Sequence, residues 1–342
     1  MPEVPTATMT ATADLRAIAD AIRTRQRFII SSHSRPDGDS IGSSLAMAYA
    51  LREMGKQVDV VHADPAPGPL MQFPGVPAIR VQNTVPDDAQ YDAAIIMECG
   101  DLARTGVTGL ERFFVINIDH HPGNTGYGNL TWFDSTAAAL GEMIFDLVRA
   151  LDVPLTREIA THIYLAILTD TGSFHYANIT PRTFAISQRC LEAGVDPVSV
   201  ARNVYDSNHM GRLKLFGSVL SSMQIDPTGR IAIVYLDHEM ARAAGGTYED
   251  TEGLINLPLT VKEILAVVFF KQVEGEEYRV SMRSKGDIDI GGIAKQFNGG
   301  GHKNAAGCTV TGPIDTLQKL FIDKIEAAID GEQSAATSIS AG

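Results

Sequence analysis

Short apolar runs that lead directly into acids and histidines are the feature that most restricts how this chain can fold. They precede His33, Asp37 and Asp39 in HSRPDGDSIGS, Glu98 in MECGD, Asp119-His120-His121 in IDHHPGN, and Asp170 in LTDTGSF. Read as parallel strands of one sheet, the runs deliver all these groups to a single carboxyl edge. Carboxylates about 4 Å apart repel by roughly 1 kcal/mol in a water-like dielectric and about 4 kcal/mol in a protein-like one. Such a gathering calls for bound cations, and the arrangement points to a two-metal hydrolytic site.

The 342 residues suffice for two domains, each with its own core. Cys99, Cys190 and Cys308 are odd in number, far apart and without C-x-x-C spacing, which argues against a disulfide framework and for a reducing cytoplasm. No apolar run is long enough to span a bilayer, and MPEVPTATMTATAD lacks the charged-then-apolar pattern of an export signal. A cytoplasmic location without membrane association is therefore expected. The net charge of −13 disfavours tracking of long duplex nucleic acid, which normally requires a broad basic face. A nucleic-acid substrate should be short and captured locally.

Helical patterning from about Asp14 to Arg23 leads into the strand-like RFIISSH. Ser40 is placed to cap a helix through SIGSSLAMAYALREMG, which Gly55 ends. The strands QVDVVH, YDAAIIME and FFVINID follow, and apolar runs of this kind suit parallel strands buried on both faces. Helices are expected over Ser135–Leu151, from Thr156 to about Leu168, and over Pro181–Ala193. The fold class is α/β: a parallel-sheet domain over 1–195, a helical connector over 196–225, a smaller α+β domain over 226–330, and a disordered tail over 331–342. In the second domain RIAIVYL, VKEILAVVFFKQV and EEYRVSMRS read as strands, the last two a hairpin around Glu274-Gly275. A helix (DIGGIAKQF), a glycine loop (Asn298–Gly307), a short strand and a helix over Ile314–Ala328 complete it.

In HSRPDGDSIGS one tight loop offers an imidazole and two carboxylates, and Asp37 and Asp39 are two apart, so in an extended segment both face one side. The competing role for Asp39 or Ser40 is a helix cap. Neutral imidazole binds transition metals, and the acid beside the His120-His121 pair can fix a tautomer. Glu98 and Asp170 draw their weight from co-location. Histidine with carboxylate and no thiolate suits Mn²⁺ best, with Mg²⁺ or Co²⁺ as alternatives. In NGGGHKNAAG the glycines let backbone N–H groups approach an anion, with His302 and Lys303 as further donors. With Arg283 and Ser284 on a preceding strand they suggest a phosphate clamp, in which Arg283 binds bidentately.

Taken in order, HSRPDGD, the acid after YDAAIIM, DHH, TDTGSF and GGGHKNAAG resemble the DHH phosphoesterase family over nearly the whole chain. The two-domain layout resembles its standalone nanoRNase/pAp-phosphatase type. The resemblance implies two Mn²⁺ ions: one held by His33, Asp37 and Glu98, the other by Asp39, Glu98, His120 and Asp170, with Glu98 bridging. It implies that His121 contacts the scissile phosphate or leaving group while Asp119 orients the histidines. Arg283, Ser284, His302 and Gly299, Gly300 and Gly301 would hold the terminal nucleotide. The bridging position is usually aspartate, so Glu98 is a departure that could alter metal spacing, metal preference and rate.

The activity implied is metal-assisted hydrolysis of oligoribonucleotides of two to five residues (a 3′-5′ exonuclease on nanoRNA) and of 3′-phosphoadenosine 5′-phosphate to AMP. The rival readings are a cyclic-di-AMP or linear dinucleotide phosphodiesterase, an inorganic pyrophosphatase or exopolyphosphatase, and a weakly active nucleotide-binding regulator. A homodimer is compatible with the sequence.

Overall fold

The computed structural model describes residues 15–206, 209–248, 251 and 253–340. Their packing defines two compact units, Met1–Ser207 and Asn208–Gly342. The first unit runs α1 (Leu15–Arg23), β1 (Arg27–Ser31), α2 (Gly38–Glu53), β2 (Gln57–His62), β3 (Arg80–Val81), β4 (Ala93–Met97), β5 (Phe114–Asp119) and β6 (Leu130–Phe133). Four helices follow: α3 (Leu140–Ala150), α4 (Arg157–Asp170), α5 (Pro181–Glu192) and α6 (Pro197–Tyr205). Its sheet has the order β3-β2-β1-β4-β5-β6 with every pair parallel. All strands therefore end at the same edge. The chain leaves β1 toward β2 and returns to lie beside β1 as β4, so the strand order reverses there. Open α/β sheets bind ligands beyond the carboxyl ends of strands at such a reversal.

Strand residues alternate between two apolar layers. Phe28, Ile30, Ile95 and Ile116 pack with the helices, whereas Ile29, Ala94, Ile96 and Val115 pack with Val85, Val107 and Leu110 from the connecting loops. Glycines set how closely the helices approach. A Cβ on Gly42 would stand 2.6 Å from the His162 carbonyl oxygen and 3.0 Å from the Ala166 nitrogen. One on Gly38 would meet the Thr169 side chain at 2.4 Å, and one on Gly141 would meet the Ala166 Cβ at 2.7 Å. Helices α2, α3 and α4 thus touch backbone to backbone near their site-bearing ends.

The second unit contains α7 (Met210–Ser221), β7 (Gln224–Ile225), β8 (Ile231–Leu236), α8 (His238–Ala244), β9 (Ala266–Glu274), β10 (Glu277–Ser284), α9 (Ile290–Lys295), β11 (Gly300–His302), β12 (Ala305–Thr311) and α10 (Ile314–Ser340). Its sheet has the order β11-β12-β10-β9-β8-β7 and is antiparallel except between β8 and β9. Alternation along the strands builds one layer of Ile231, Val268, Phe270 and Val280 under Phe321 and Ile325, and another of Ala232, Val234 and Val267 under Leu215 and Val219.

Several elements differ from the sequence reading. Asp37, not Ser40, caps α2: its side chain accepts from the Ser40 N–H while the Ser40 hydroxyl accepts from the Asp37 N–H, both at 3.0 Å. Helix α3 starts at Leu140 rather than Ser135, because Asp134 ties Thr136 into a turn and Ala139 is extended. Asp170 ends a helix, not a strand. The 196–225 stretch holds two helices, α6 and α7, and the short β7. The glycine loop is partly a hairpin, with Gly300 opposite Gly307 and His302 opposite Ala305. Helix α10 continues to Ser340 through a stretch expected to be disordered; its Glu, Gln and Ala residues are good helix formers. The expected start of the first helix, Asp14, and the segment before it lie outside the described residues.

Gly42→Ala is expected to destabilise the protein by about 1–3 kcal/mol, the usual cost of forcing extra volume into a close-packed core. Urea unfolding measures the loss, and an unchanged midpoint would contradict the close approach of α2 and α4.

Candidate metal centre

Seven side chains from four places on the first unit gather at the carboxyl edge. The loop after β1 and the first turn of α2 supply His33, Asp37 and Asp39. Glu98 follows β4, His120 and His121 follow β5, and Asp170 ends α4. Asp39 and Glu98 are each 1% exposed. Glu98 has φ 58°, in the left-handed region where a non-glycine residue is strained by about 1–3 kcal/mol. The turn spends that strain on pointing the side chain at the histidines.

His120 is the hub. Its Nε2 lies 3.2 Å from Glu98 Oε1, 3.7 Å from Asp170 Oδ2 and 3.8 Å from Asp39 Oδ2. Its Nδ1 is 3.0 Å from the Ala137 carbonyl oxygen. A carbonyl only accepts, so Nδ1 carries the proton and Nε2 is the ligand atom. His121 is set the same way, with Nδ1 3.1 Å from Asp119 Oδ1 and 3.4 Å from Glu98 Oε2. Glu98 thus directs one oxygen at each histidine.

Two groups have ligand atoms all within 4.8 Å of one another: Glu98, His120 and His121, and Asp39, His120 and Asp170. Buried Glu98 Oε1 and His120 Nε2 lack a hydrogen bond of good geometry. Unsatisfied buried polar atoms are costly, and here they are a hard oxygen and an imidazole nitrogen facing each other, the donor set that a divalent transition metal takes. The residues fit a metal.

The protonation balance agrees with that fit. Burial and then the nearby Asp39 push Glu98 up to about 8, and the same two causes push Asp170 up to about 7. Burial also raises Asp39. For His120, burial opposes the charge, but Glu98, Asp39 and Asp170 outweigh it and lift the imidazole to about 11. Burial and mutual repulsion thus raise three acids toward their protonated forms, and the same acids draw a proton onto His120.

Asp39 also has a structural task. It accepts from the Leu140 N–H at 2.6 Å, the Gly141 N–H at 3.2 Å and the Ser43 hydroxyl at 2.8 Å. It therefore caps α3 from another helix, since Ala139 offers no side-chain cap. His33 and Asp37 stand as a separate pair, with His33 Nε2 3.8 Å from Asp37 Oδ2. Asp101, three residues past Glu98, caps the short helix at Leu102–Thr105. Burial pushes the Cys99 thiol up to about 12, and its sulfur donates to the Asp101 carbonyl, in keeping with a packing role.

One network was not visible in the sequence. The Asn124 amide donates to Asp119 Oδ2 at 2.7 Å and to Asn117 Oδ1 at 2.8 Å, while the Asn117 amide donates to the Tyr127 hydroxyl at 3.0 Å. Burial opposes the charge on Asp119, but donations from His121 and Asn124 outweigh it and hold the group below the usual carboxylate range. The one available signal was Asn124 itself, five residues past the strand-end acid.

The C-terminal candidates lie in the second unit. Arg283 Nη1 donates to the Met282 carbonyl at 2.9 Å. The Ser284 hydroxyl donates to the Ile288 carbonyl and accepts from the Asn304 amide, so it serves a turn. A Cβ on Gly299 would stand 2.2 Å from the Gly307 carbonyl oxygen, and one on Gly301, at φ 137°, 2.4 Å from that of Ala305. Strand approach alone demands these glycines. A Cβ on Gly300 would meet nothing within 4 Å, and the His302 side chain lies outside the described residues.

A parallel α/β sheet carrying this cluster of carboxylates and imidazoles defines a metal-dependent hydrolase of phosphate esters. Comparison with known proteins agrees: the "DHH family, N-terminal domain" profile matches residues 27–167, and the "DHHA1 domain" profile matches residues 230–330. The chain is 33% identical over 308 residues to the "Bifunctional oligoribonuclease and PAP phosphatase NrnA" of Thermus thermophilus, covering 87% of this chain and 89% of that one. It is 28% identical to the Bacillus subtilis protein of the same name, covering 82% and 88%. A solved exopolyphosphatase-related protein from Bacteroides fragilis superposes with a TM-score of 0.85 at 27% identity, covering 94% of this chain and 98% of that one. The chain belongs to the DHH family of phosphoesterases.

Adding Mn²⁺ to chelator-treated protein is expected to raise the melting temperature, since a ligand at a hundredfold excess over Kd stabilises by about 2.7 kcal/mol. His120→Ala should lose the shift. A shift of equal size in that variant would place the metal elsewhere.

Proposed function

We propose that this chain hydrolyses short oligoribonucleotides from the 3′ end, and 3′-phosphoadenosine 5′-phosphate to AMP, at a two-Mn²⁺ centre in its first unit. The observation that carries the reading is the convergence of three buried or half-buried acids on His120 Nε2, with Glu98 turning its second oxygen to His121. In this reading Asp39, Glu98, His120 and Asp170 hold one ion, while His33, Asp37 and Glu98 hold the other. Glu98 is the shared ligand. Its two oxygens lie 3.2 Å from His120 Nε2 and 3.4 Å from His121 Nδ1. Two bound cations would lower the pKa of a water and neutralise charge building on the phosphoryl oxygens.

The chain's own residues do the rest. Asp119 fixes the Nδ1 proton of His121, which leaves Nε2 to meet the scissile phosphate or leaving group. Asn124 and Asn117 hold Asp119 in place for that task. Residues 1–195 form the catalytic region in this scheme, and 226–330 bind substrate through Arg283, Ser284, His302 and the Gly299–Gly301 backbone. Support for nucleotide substrates comes from the names of the relatives in Thermus thermophilus and Bacillus subtilis. Among the described residues no helix is long and apolar enough to cross a membrane, in keeping with action in the cytoplasm.

Profiling Mn²⁺-loaded protein against an RNA dinucleotide, 3′-phosphoadenosine 5′-phosphate, cyclic-di-AMP and pyrophosphate tests the reading. The first two should be turned over fastest. His120→Ala and Asp170→Ala should each lose more than the roughly 10–100-fold that losing an outer-sphere partner costs. Preferential turnover of pyrophosphate or the cyclic dinucleotide would overturn the substrate assignment.

A further inference from the structure

Beyond Asp170 the chain enters a loop that the reading above leaves without a task. Gly172, Ser173 and Phe174 have φ of 55°, 60° and 61°, three consecutive residues in the left-handed region. Glycine enters that region freely, but for a residue as bulky as phenylalanine it is an outlier, and such outliers gather at functional sites. The Tyr176 ring lies directly on Gly172: a Cβ there would stand 2.4 Å from Cζ and 2.7 Å from Cε1 and Cε2. Only glycine leaves that space.

The loop and helix α5 bring rings to the surface here. Phe174, partly buried against the core, stacks on Phe184 of α5 with centroids 5.5 Å apart and planes 19° apart. Phe184 is nonetheless 56% exposed and Tyr176 52% exposed. Helix α5 is rigidly seated below, because Arg182 pairs with buried Glu142 and Asp146, and Thr183 donates to Glu142 at 2.6 Å. The loop's return end is fastened beside the metal centre. The Asn178 amide donates to the Asp170 carbonyl at 3.3 Å and to the Ala138 carbonyl at 2.8 Å, next to the Ala137 carbonyl that orients His120. From Thr171 to Thr180 there is no Asp, Glu, Lys or Arg, although the whole chain carries −13. The loop itself therefore carries no carboxylate to repel a polyanion and no Lys or Arg to grip its phosphates, and its one imidazole, His175, lies beside Tyr176 with centroids 6.4 Å apart. What it offers is exposed aromatic area.

We propose that Tyr176 and the Phe174–Phe184 pair form a stacking platform for an unpaired nucleobase of the substrate, adjacent to the scissile phosphate. The proposal rests on the reading of Asp170 as a metal ligand. Stacking on aromatic rings accepts any base, because every base has a π-face. The platform would thus select nucleotide esters over bare phosphates without selecting sequence.

The test compares an RNA dinucleotide with the same backbone lacking both bases, using the full Mn²⁺-loaded chain. In Tyr176→Ala and Phe184→Ala the ratio of kcat/KM, dinucleotide over abasic, should fall about 5- to 150-fold, the equivalent of about 1–3 kcal/mol per stacked base. The loss should appear in KM, and Tyr176→Trp should restore the ratio. An unchanged ratio would overturn the proposal. So would an unchanged ratio with altered sedimentation of Phe184→Ala, which would give this face to a second copy of the chain. Quenching of a 2-aminopurine mononucleotide reports stacking independently of turnover. Quenching by the wild type that is lost in Tyr176→Ala, with no dinucleotide hydrolysis, would sink the hydrolytic reading and leave the platform standing. Hydrolysis with quenching undiminished in the variants would sink the platform alone.

Discussion

The carboxylate of Asp39 ties the fold to the centre. It is buried among groups of its own sign, which on electrostatics alone is the worst place for an acid. Three donors make the position tenable: two amides at the start of α3 and the Ser43 hydroxyl. The positive end of α3 adds its field to these hydrogen bonds. In return the helix obtains the cap that its own sequence omits. The seating of α2 and α3 on α4 through glycine contacts and the spacing between Asp39 and His120 are consequently linked, because the Asp39 carboxylate joins α2 to the start of α3.

A second dependence runs through the backbone at Glu98. Its left-handed conformation sits at the reversal of strand order, between the end of β4 and the loop beyond. There a side chain can be turned sideways to face the residues after β5. The same device recurs after Asp170, where three left-handed residues redirect the chain. Both turns flank the ligand cluster, and both spend conformational energy on direction rather than on burial.

Much of this was legible in the sequence, because periodicity and strand-end acids are local signals. The runs before Glu98 and Asp119 announced buried parallel strands, and the alignment of strand ends then followed from the sheet itself. What stayed hidden was non-local. The start of α3 could not be read because its cap lies 101 residues away, on Asp39. Asp37 was read as a ligand candidate and not as the cap of α2, since two acids and a serine in one turn compete for that role. Asp170 was grouped with the strand-end acids even though a helix was expected to about Leu168, because an apolar stretch before an acid looks alike in a strand and in a buried helix. The glycines at Gly299 and Gly301 suggested an anion cradle, and the hairpin they belong to requires them for strand contact as well. The rings of Tyr176 and Phe184 carried no periodic signal, and their exposure is a property of the folded loop alone.

The dual attachment of Asp39 has an evolutionary corollary. His120 and Asp170 answer chiefly to the centre, so a lineage released from selection for hydrolysis could replace either with modest harm to folding. Asp39 could not drift in the same way, because its loss would uncap α3 and leave two buried amides without partners. In a descendant of this chain that had abandoned catalysis, that aspartate would outlast the histidine it faces, and its presence alone would be no guide to whether the descendant still bound a metal.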